Sequence, residues 1–417
     1  MTDRRAFKQT DIGLLPTEWV IRPLPTLLSF IVDNRGRTAP TSDTGVPLIA
    51  TNCIKEEGLY PIKERLRHIS KETYETWFRA HPEPNDIILV NKGTPGQVCL
   101  VPDPVDFCIA QDMVALRVNR DEIDWKYLFA YMRSPSFKKQ VEGLNVGTTI
   151  PHLKKTVFNQ LQIPVPTELE QKVIGDVYYQ LSSKIELNLQ MNNTLSTMAQ
   201  AIFKEWFVNY NFPGFDEKVI DVLPNGWRNG KLLDLCLVNA NTLSAKDEMD
   251  EIKYLEISEV EKGVIKNIVV YKRGEEPSRA KRKLAHGDVV LSTVRPNRGS
   301  YFLALHPDSN LIASTGFAVF TPTKVPFSFL YCFLTNDEQM EYYGRMADGA
   351  AYPAINPSVI MNIDVAIPSK DALARFDDVC EPLLLKIHEN LKENKALAEI
   401  RDNLLPKLMT GRFEPKQ

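Results

Sequence analysis

Polar side chains occur in two loops, each of which follows a short apolar run typical of a strand. The runs, at residues 86–90 and 288–292, lie 202 residues apart. Arg, Lys, Asn, Gln and Thr are the side chains that bind phosphates and form hydrogen bonds with base edges. The loops therefore indicate a nucleic-acid contact, with an ordinary solvated loop as the alternative. The candidates are Lys92, Thr94 and Gln97 in the first loop and Arg295, Asn297 and Arg298 in the second.

A second chemical signal is a basic segment at residues 271–283. Six basic side chains stand there against Glu275 and Glu276. Such a balance favours contact with phosphates, although basic runs are often only solvated. The first half of the chain has a weaker counterpart at residues 34–38. The candidates are Lys272, Arg273, Arg279, Lys281, Arg282 and Lys283, with Arg35 and Arg37 from the counterpart.

Two short glycine segments, residues 147–149 and 349–351, add further candidates for nucleic-acid contact. Glycine permits close approach to another backbone. A hinge-like turn into the next strand is the alternative. These segments bring Thr148, Thr149 and the adjacent Tyr352 into the candidate set.

Catalytic motifs are weak. Asp103, Asp124 and Lys126 imitate the carboxylate–lysine set of a nuclease, but the spacing is loose and the second half of the chain lacks an equivalent. The six cysteines and six histidines show no metal-ligand spacing. No nucleotide-binding fingerprint is present either. The sequence therefore predicts a chain that is not an enzyme and holds no cofactor or metal of its own.

The chain is an internal duplication. Residues 150–207 match residues 352–409 without a gap, at an offset of 202, and Leu-Pro-x-x-Trp at 15–19 returns at 223–227. The loops named above lie at equivalent places but differ in almost every residue. A repeated scaffold with different loops is typical of paired recognition domains. We expect the two copies to be related by a pseudo-twofold axis.

Two long helices are predicted in the repeated region. Thr167 and Glu170 form a capping box at the start of the first, and Ser369 caps the second. Apolar residues at steps of three and four predict one coiled-coil seam, broken by the matching Asn188 and Asn390. We expect the helices to pair antiparallel as a spacer. The seam residues are Ile174, Val177, Leu181, Met191, Leu195, Met198 and Ile202 in the first helix and Phe376, Val379, Leu383, Leu397, Ile400 and Leu404 in the second.

The C-terminal ends of both helices carry more apolar residues than one seam needs. They form either surplus core or a docking surface for a partner subunit, offered once by each repeat. The residues are Ile202, Phe203, Trp206 and Phe207 in the first helix and Leu404, Leu405, Leu408 and Met409 in the second.

The predicted fold class is α/β (α+β), with two similar mixed α/β target-recognition domains joined by two long helices in an antiparallel coiled coil. A net charge of −3, a hydrophobic content of 43% and the lack of a membrane span or signal peptide predict a cytoplasmic protein. The predicted segments are a first recognition domain at 1–166, a first helix at 167–210, a second recognition domain at 211–368, and a second helix with its tail at 369–417.

In this doubled order of motifs the chain resembles the specificity (S) subunits of Type I restriction–modification systems. The second copy departs from the pattern, because Leu373-Ala374 replaces the Glu-Gln pair. The motifs are Leu15-Pro16-Thr17-Glu18-Trp19, Ile163-Pro164-Val165-Pro166 and Glu170-Gln171 in the first copy and Leu223-Pro224-Asn225-Gly226-Trp227 and Ile367-Pro368 in the second.

The resemblance implies a subunit that reads a split double-stranded DNA sequence, one half per recognition domain, and holds two methyltransferase subunits. Restriction–translocation subunits would join through these. S-adenosylmethionine, ATP and magnesium would be used by the partners. The alternatives are a repeat-built nucleic-acid adaptor outside restriction–modification, and a nuclease using Asp103, Asp124 and Lys126.

Overall fold

The computed structural model describes residues 5–34, 36–147, 150–213 and 223–412. The chain divides into two compact units. Unit 1 comprises residues 1–188 and 393–417, and unit 2 comprises residues 189–392. Each unit thus contains a globular part and parts of both long helices. The four segments predicted from the sequence, which separate helices from globular parts, remain a prediction.

Unit 1 contains the first copy of the globular fold. A four-stranded antiparallel sheet has the order β4-β10-β7-β8, and a three-stranded sheet β6-β5-β9 contains one parallel pair, β5 with β9. Its elements are β1 (Phe7–Thr10), β2 (Gly13–Pro16), β3 (Val20–Pro23), β4 (Leu28–Asp33), β5 (Val46–Ile49), β6 (Arg67–Ile69), α1 (Lys71–Thr76), β7 (Ile87–Val90), β8 (Val98–Leu100), β9 (Cys108–Ile109), β10 (Met113–Val118), α2 (Trp125–Met132), α3 (Pro135–Leu144), β11 (Gln162–Val165) and the first half of α4 (Glu168–Phe203).

Unit 2 contains the second copy. Its antiparallel sheet has the order β13-β22-β19-β20, and its other large sheet has the order β17-β14-β21-β18, with β14 and β21 parallel. Its elements are β12 (Arg228–Lys231), β13 (Cys236–Val238), β14 (Glu251–Leu255), β15 (Val260–Glu261), β16 (Val264–Ile265), β17 (Val269–Lys272), β18 (Ala280–Lys283), β19 (Asp288–Ser292), β20 (Tyr301–Ala304), β21 (Leu311–Ser314), β22 (Phe317–Pro322), α5 (Phe327–Thr335), α6 (Asp337–Met346), α7 (Pro357–Met361), β23 (Asp364–Ile367) and the first part of α8 (Lys370–Met409). The last part of α8, residues 393–409, belongs to unit 1.

The repeat predicted from the sequence is confirmed in the order of the strands. The sheet β4-β10-β7-β8 of unit 1 has the same connectivity as β13-β22-β19-β20 of unit 2. Strands β7 and β19 are buried along their whole length because the runs at 87–90 and 288–292 lie in the middle of their sheets. Unit 2 adds β18 beside β21. This additional strand carries much of the basic segment.

The long helices begin as predicted. The amide of Glu170 donates to Thr167 Oγ1 at 3.4 Å and the amide of Thr167 donates to Glu170 Oε2 at 3.2 Å, which is a capping box. Ser369 Oγ accepts from the amide of Ala372 at 3.2 Å. Helix α4 continues into a π-helical turn, Lys204–Val208. No helix in the described part of the chain is long and apolar enough to span a membrane.

Buried asparagines pair the two long helices. In unit 1, Asn188 Nδ2 donates to Asn394 Oδ1 at 2.8 Å, and in unit 2, Asn390 Nδ2 donates to Asn192 Oδ1 at 2.8 Å. Residue numbers rise along α4 as they fall along α8, so the predicted antiparallel pairing is confirmed. The two bonds are equivalents under the offset of 202. Of these four residues, Asn192 and Asn394 were not recognised from the sequence.

The predicted seam is wrong in part. Met191, Met198, Val379 and Ile400 are exposed, whereas Ala199 is buried. One residue turns an α-helix by about 100°. Because the buried face includes Asn188, Asn192 and Ala199, side chains one position away point elsewhere. The hydrogen-bonded asparagines thus set the seam, and methionines one position before it lie outside.

Candidate nucleic-acid interface

The polar loop of unit 1 lies against the segment that begins with the glycine motif. The strand-end loop, residues 91–97, follows β7. Three backbone bonds connect the two segments or close the second: Gly93 N–H donates to Pro151 O at 3.1 Å, Leu153 N–H donates to the residue 91 carbonyl at 2.8 Å, and His152 N–H donates to Val146 O at 2.9 Å. A fourth, from Val146 N–H to His152 O, measures 3.0 Å. Residues 91–97, 146–147 and 150–153 form the first loop pair.

The second loop pair, residues 293–299 and 348–355 of unit 2, has the same four bonds. Arg295 N–H donates to Pro353 O at 2.7 Å, and Ile355 N–H donates to the residue 293 carbonyl at 2.9 Å. Asp348 and Ala354 exchange two bonds, of 3.0 and 2.8 Å. Every donor and acceptor is displaced by 202 from its counterpart in unit 1. Two loops with different side chains therefore share one backbone frame.

One position of this frame needs a left-handed backbone. Gly93 occupies it in unit 1 with φ +91°, and Arg295 occupies it in unit 2 with φ +48°. A residue with a Cβ pays roughly 1–2 kcal/mol there. The Arg295 guanidinium compensates by stacking on the Tyr352 ring, 4.4 Å from its centroid, and by donating from Nη2 to Ala351 O at 2.8 Å. Arg295 is thus a fixed part of the second loop pair.

The other candidate side chains of the loop pairs differ in their freedom. Asn297 and Arg298 are exposed on a short 3-10 turn, Pro296–Arg298. Lys92 is exposed in unit 1. Thr94 Oγ1 donates to Gln97 Oε1 at 2.8 Å, so these two polar groups partly satisfy each other. Among the described residues, the side-chain nitrogens of Lys92 and Arg298 form no hydrogen bond or ion pair, and both are available to a ligand.

The basic segment of unit 2 is partly neutralised within its own unit. Arg273 forms an ion pair with Glu276 and donates to Ser244 O at 2.8 Å, and Lys283 forms an ion pair with Asp247. The hydrogen bond from Lys283 and the Ser244 N–H lower the pKa of Asp247 to about 2. A count of the basic residues in the segment therefore overstates the positive charge that the segment presents to a ligand.

Three cations of this segment remain accessible. Lys272, Arg279 and Lys281 are exposed, and their side chains have no ion-pair partner among the described residues. Arg282 is half-buried, and loss of solvent lowers the pKa of its guanidinium. Its Nε is buried without a hydrogen-bond partner among the residues described. The structure thus separates three solvent-facing cations from three that are bound or partly buried.

In unit 1 the remaining candidates are sparse. Arg37 is exposed. Arg35, Thr148 and Thr149 lie outside the described residues. Ile150 is at the position equivalent to Tyr352 but was not among the candidates. The sequence does indicate it, because both residues directly precede a proline, Pro151 or Pro353. It is exposed like Tyr352.

The apolar residues proposed as a partner dock lie largely inside the chain. Phe203 and Phe207 are buried in the core of unit 2, and Leu405, Leu408 and Met409 are buried in the core of unit 1. Half-buried Ile202, Trp206 and Leu404 pack against the same cores. Their burial favours the surplus-core alternative over the docking alternative, because side chains already packed inside one chain offer little area to another.

The nuclease set has structural uses in unit 1. The Asp124 carboxylate caps α2 by accepting from the amide of Tyr127 at 2.9 Å. Lys126 Nζ forms an ion pair with Asp176 Oδ1 at 2.5 Å. Both groups are therefore explained by local folding. Among the described residues, no cluster of His, Cys, Asp and Glu is arranged to hold a metal ion.

Fold and loops together define a class of protein: a duplicated recognition scaffold, in which each unit holds a rigid loop pair and two long helices pair antiparallel. Comparison with known proteins shows what this chain is similar to. The model of the Type I restriction modification DNA specificity domain matches residues 36–197. The MjaIX specificity subunit of Methanocaldococcus jannaschii is 23% identical, over 99% of this chain and 97% of that protein.

Two further similarities agree. The HindI specificity subunit of Haemophilus influenzae is 24% identical over 76% of this chain and 83% of that protein. The crystal structure of a Type I S subunit from M. genitalium shares the fold, with a TM-score of 0.52, 18% identity and coverage of 96% and 97% of the two chains. The resemblance seen in the repeated motifs is confirmed, and the chain is related to the specificity subunits of Type I restriction–modification systems.

Proposed function

We propose that this chain reads a bipartite double-stranded DNA target, one half-site per unit. The observation that carries the proposal is the frame of four backbone hydrogen bonds, which is common to both loop pairs while their side chains differ. A rigid frame positions side chains for base contacts, and different side chains on it select different bases. The relatives' identity as specificity subunits supports the same role.

Within unit 2, phosphate contact and base reading belong to different residues. Lys272, Arg279 and Lys281 are solvent-facing cations on or beside two strands and suit phosphates, which carry no sequence information. Arg298 and Asn297 stand on the short turn of the second loop pair and suit base edges. In unit 1, Lys92 occupies the first loop pair and Arg37 lies outside it.

Two methyltransferase subunits are the proposed protein partners, one for each repeat. Met198 in unit 2 and Ile400 in unit 1 are equivalents under the offset of 202, and they are 46% and 49% exposed. An apolar side chain kept in solvent at the same place of both repeats suits a partner that binds twice. This surface replaces the buried C-terminal ends of the helices as the proposed dock. Restriction subunits would join through the methyltransferases.

The chain itself is proposed to be non-catalytic. S-adenosylmethionine would be bound by the methyltransferase subunits, and ATP and magnesium by restriction subunits. This assignment rests on the relatives, which are specificity subunits, and on the absence of a catalytic motif in the sequence.

The test is to purify the chain alone and with a co-encoded methyltransferase, measure the mass of the complex, and map methylated positions in the host genome. We expect a complex with two methyltransferase copies and a split target. Exchange of residues 223–368 for the equivalent segment of a relative should alter one half-site only. A nucleic-acid adaptor would bind DNA without retaining the methyltransferase. A nuclease would nick DNA alone, with magnesium, and lose this activity in Asp124→Ala.

The docking surface has its own test. Met198→Glu and Ile400→Glu should each remove one methyltransferase copy, because a carboxylate cannot be buried unpaired in an apolar contact without a large cost. Leu237→Glu, at another exposed apolar residue of unit 2, is the matched control. Retention of both copies by the two helix variants would place the partner elsewhere.

A further inference from the structure

The two loop pairs share an exposed apolar tip. Ile150 in unit 1 and Tyr352 in unit 2 are equivalents under the offset of 202, and 54% and 69% of their surfaces are exposed. Exposure of a single apolar residue is ordinary. Here the exposure occurs at the same position of both loop pairs, beside the polar candidates. This repetition indicates a common role for the two residues.

The backbone beneath both tips is fixed. Each tip residue precedes a proline, Pro151 or Pro353, and a residue before proline is restricted to extended conformations. The proline carbonyl accepts a hydrogen bond from the left-handed residue of the strand-end loop, Gly93 or Arg295. On the other side, Gly147 and Gly349 have φ values of +98° and +112°. The chain directly after each tip is therefore fixed, which lowers the entropy lost when the tips bind.

The second tip also has a side-chain support. The Arg295 guanidinium lies 4.4 Å from the Tyr352 ring centroid and is held by Ala351 O at 2.8 Å. The guanidinium therefore contacts the ring and a carbonyl oxygen within the same loop pair. Arg295 is thus placed as a support for the ring, while Arg298 in the same loop pair is exposed.

We propose that Ile150 and Tyr352 are apolar base-contacting residues, one for each half-site, and that Arg295 is a positioning residue for Tyr352. The inference rests on the proposed DNA-reading function and deepens it. Apolar side chains discriminate bases in a groove by contact with the thymine methyl group and by shape. An isoleucine and a tyrosine on one frame would select differently because their shapes differ.

The experiment measures binding of the complex with methyltransferase to the mapped target and to duplexes with each base pair changed in turn, over a salt series. Tyr352→Ala should lose about tenfold or more of discrimination at one or two adjacent base pairs of unit 2's half-site. Ile150→Ala should do the same in the other half. Neither variant removes a charge, so the salt slope should stay unchanged.

Conservative variants and controls separate contact from folding. Tyr352→Phe should retain discrimination, and so should the controls Leu237→Ala in unit 2 and Val20→Ala in unit 1, which lie at similarly exposed residues. Arg295→Ala should relax the same base pairs as Tyr352→Ala, and the double variant should be no worse than Tyr352→Ala, because one residue acts through the other.

Two results would overturn the inference: equal weakening of all duplexes by the tip variants, or unchanged discrimination. In both cases the unaltered complex still distinguishes its target, so the proposed function stands. If the unaltered complex binds every duplex equally, the proposed function itself has failed.

Discussion

The two units surround an equivalent tryptophan, Trp19 in unit 1 and Trp227 in unit 2, with different side chains. In unit 1, Trp19 Nε1 donates to Glu170 Oε2 at 3.1 Å. Arg5 forms an ion pair with the same carboxylate at 2.5 Å, and its guanidinium lies 5.7 Å from the Trp19 ring centroid. The tryptophan is thus held by a buried polar network.

In unit 2, Trp227 is held by aromatic rings. Phe207, Tyr210 and Phe212 lie 5.5–5.8 Å from it between ring centroids. Ala372 stands where unit 1 has Glu170, and both positions are buried. The Trp227 Nε1 is buried without a hydrogen-bond partner among the described residues. The second unit therefore replaces the ion pair by ring contacts and leaves one donor unsatisfied.

A neighbouring exchange follows the same logic. In unit 1, Gln171 Oε1 accepts from the amide of Asp124 at 2.8 Å. In unit 2 the equivalent residues are Leu373 and Pro326. Because proline has no N–H, no acceptor is needed there, and leucine fits. At these positions unit 2 lacks both the hydrogen-bond donor and its acceptor. The backbone is therefore the same in both units, although the side chains differ.

These exchanges also correct the motif comparison. The offset of 202 places Ala372 and Leu373, not Leu373 and Ala374, opposite the Glu-Gln pair. Glu170 and Gln171 are buried and bonded inside unit 1. Their replacement therefore reflects the packing within each unit.

The strongest test of the comparison converts the network of unit 1 into that of unit 2. Glu170→Ala should destabilise unit 1 by about 3–5 kcal/mol, because Trp19 Nε1 is then buried without its acceptor and Arg5 keeps only its more exposed partner, Glu18. The loss in the free energy of unfolding is measured by urea denaturation and by calorimetry. Glu18→Ala, which removes the more exposed partner of Arg5, is the control and should cost about 1 kcal/mol or less. Equal losses for both variants would mean that the buried network does not stabilise unit 1.

A smaller effect is expected where the two units agree. Asn188→Leu in unit 1 and Asn390→Leu in unit 2 should each cost about 1–3 kcal/mol, because each leaves the amide of its partner asparagine buried and less well satisfied. The double variants Asn188→Leu/Asn394→Leu and Asn390→Leu/Asn192→Leu should recover most of the loss. Thermal unfolding gives the comparison. A single variant as stable as the original would show that the pairs are dispensable.

Local signals in the sequence predicted much of the fold. The caps at Thr167 and Ser369 form as expected, and both long helices begin where these residues predict. Such features depend on residues a few positions apart, and periodicity and capping rules describe them directly. The equivalence of the loop pairs followed from the repeat itself.

Features that depend on distant residues were not predictable in the same way. The partner of Lys283 is Asp247, 36 residues earlier, so a local count of charge could not include it. The predicted seam of α4 includes the exposed Met191 and Met198, because apolar spacing cannot reveal that Asn188 and Asn192 have amide partners on α8. The support of Tyr352 by Arg295 likewise requires two loops that are distant in sequence to meet.

The division between base reading and phosphate contact in unit 2 can be sharpened by two variants. Arg298→Ala should lose about 1–3 kcal/mol of discrimination at one base pair, because a bidentate contact with a guanine is lost. Lys281→Ala should weaken all duplexes alike and reduce the salt slope by about 0.9. The measurement is binding to matched and singly mismatched duplexes in complex with the methyltransferase. The assignments would have to be exchanged if Lys281→Ala relaxed one base position and Arg298→Ala weakened every duplex equally.

The smallest effect concerns the cation that the fold neutralises. The pKa of Asp247 lies at about 2, below the roughly 3.9 of a free aspartate. A depressed pKa means that its ion pair with Lys283 is present above pH 4 and is lost as the pH falls through about 2, so no change is expected near neutrality. Asp247→Asn should free Lys283 at neutral pH and increase the salt slope of DNA binding by up to about 0.9.

The control for this variant is Asp364→Asn, which breaks the ion pair with Lys231 on another sheet of unit 2 and should leave the slope unchanged. The additional strand β18 makes the comparison informative, because it carries Lys281 and Lys283 side by side with only one of them neutralised. If Asp247→Asn leaves the salt slope unaltered while Lys281→Ala reduces it, DNA meets the Lys281 side of the strand only. If neither variant changes the slope, the lysines of β18 do not contact phosphates.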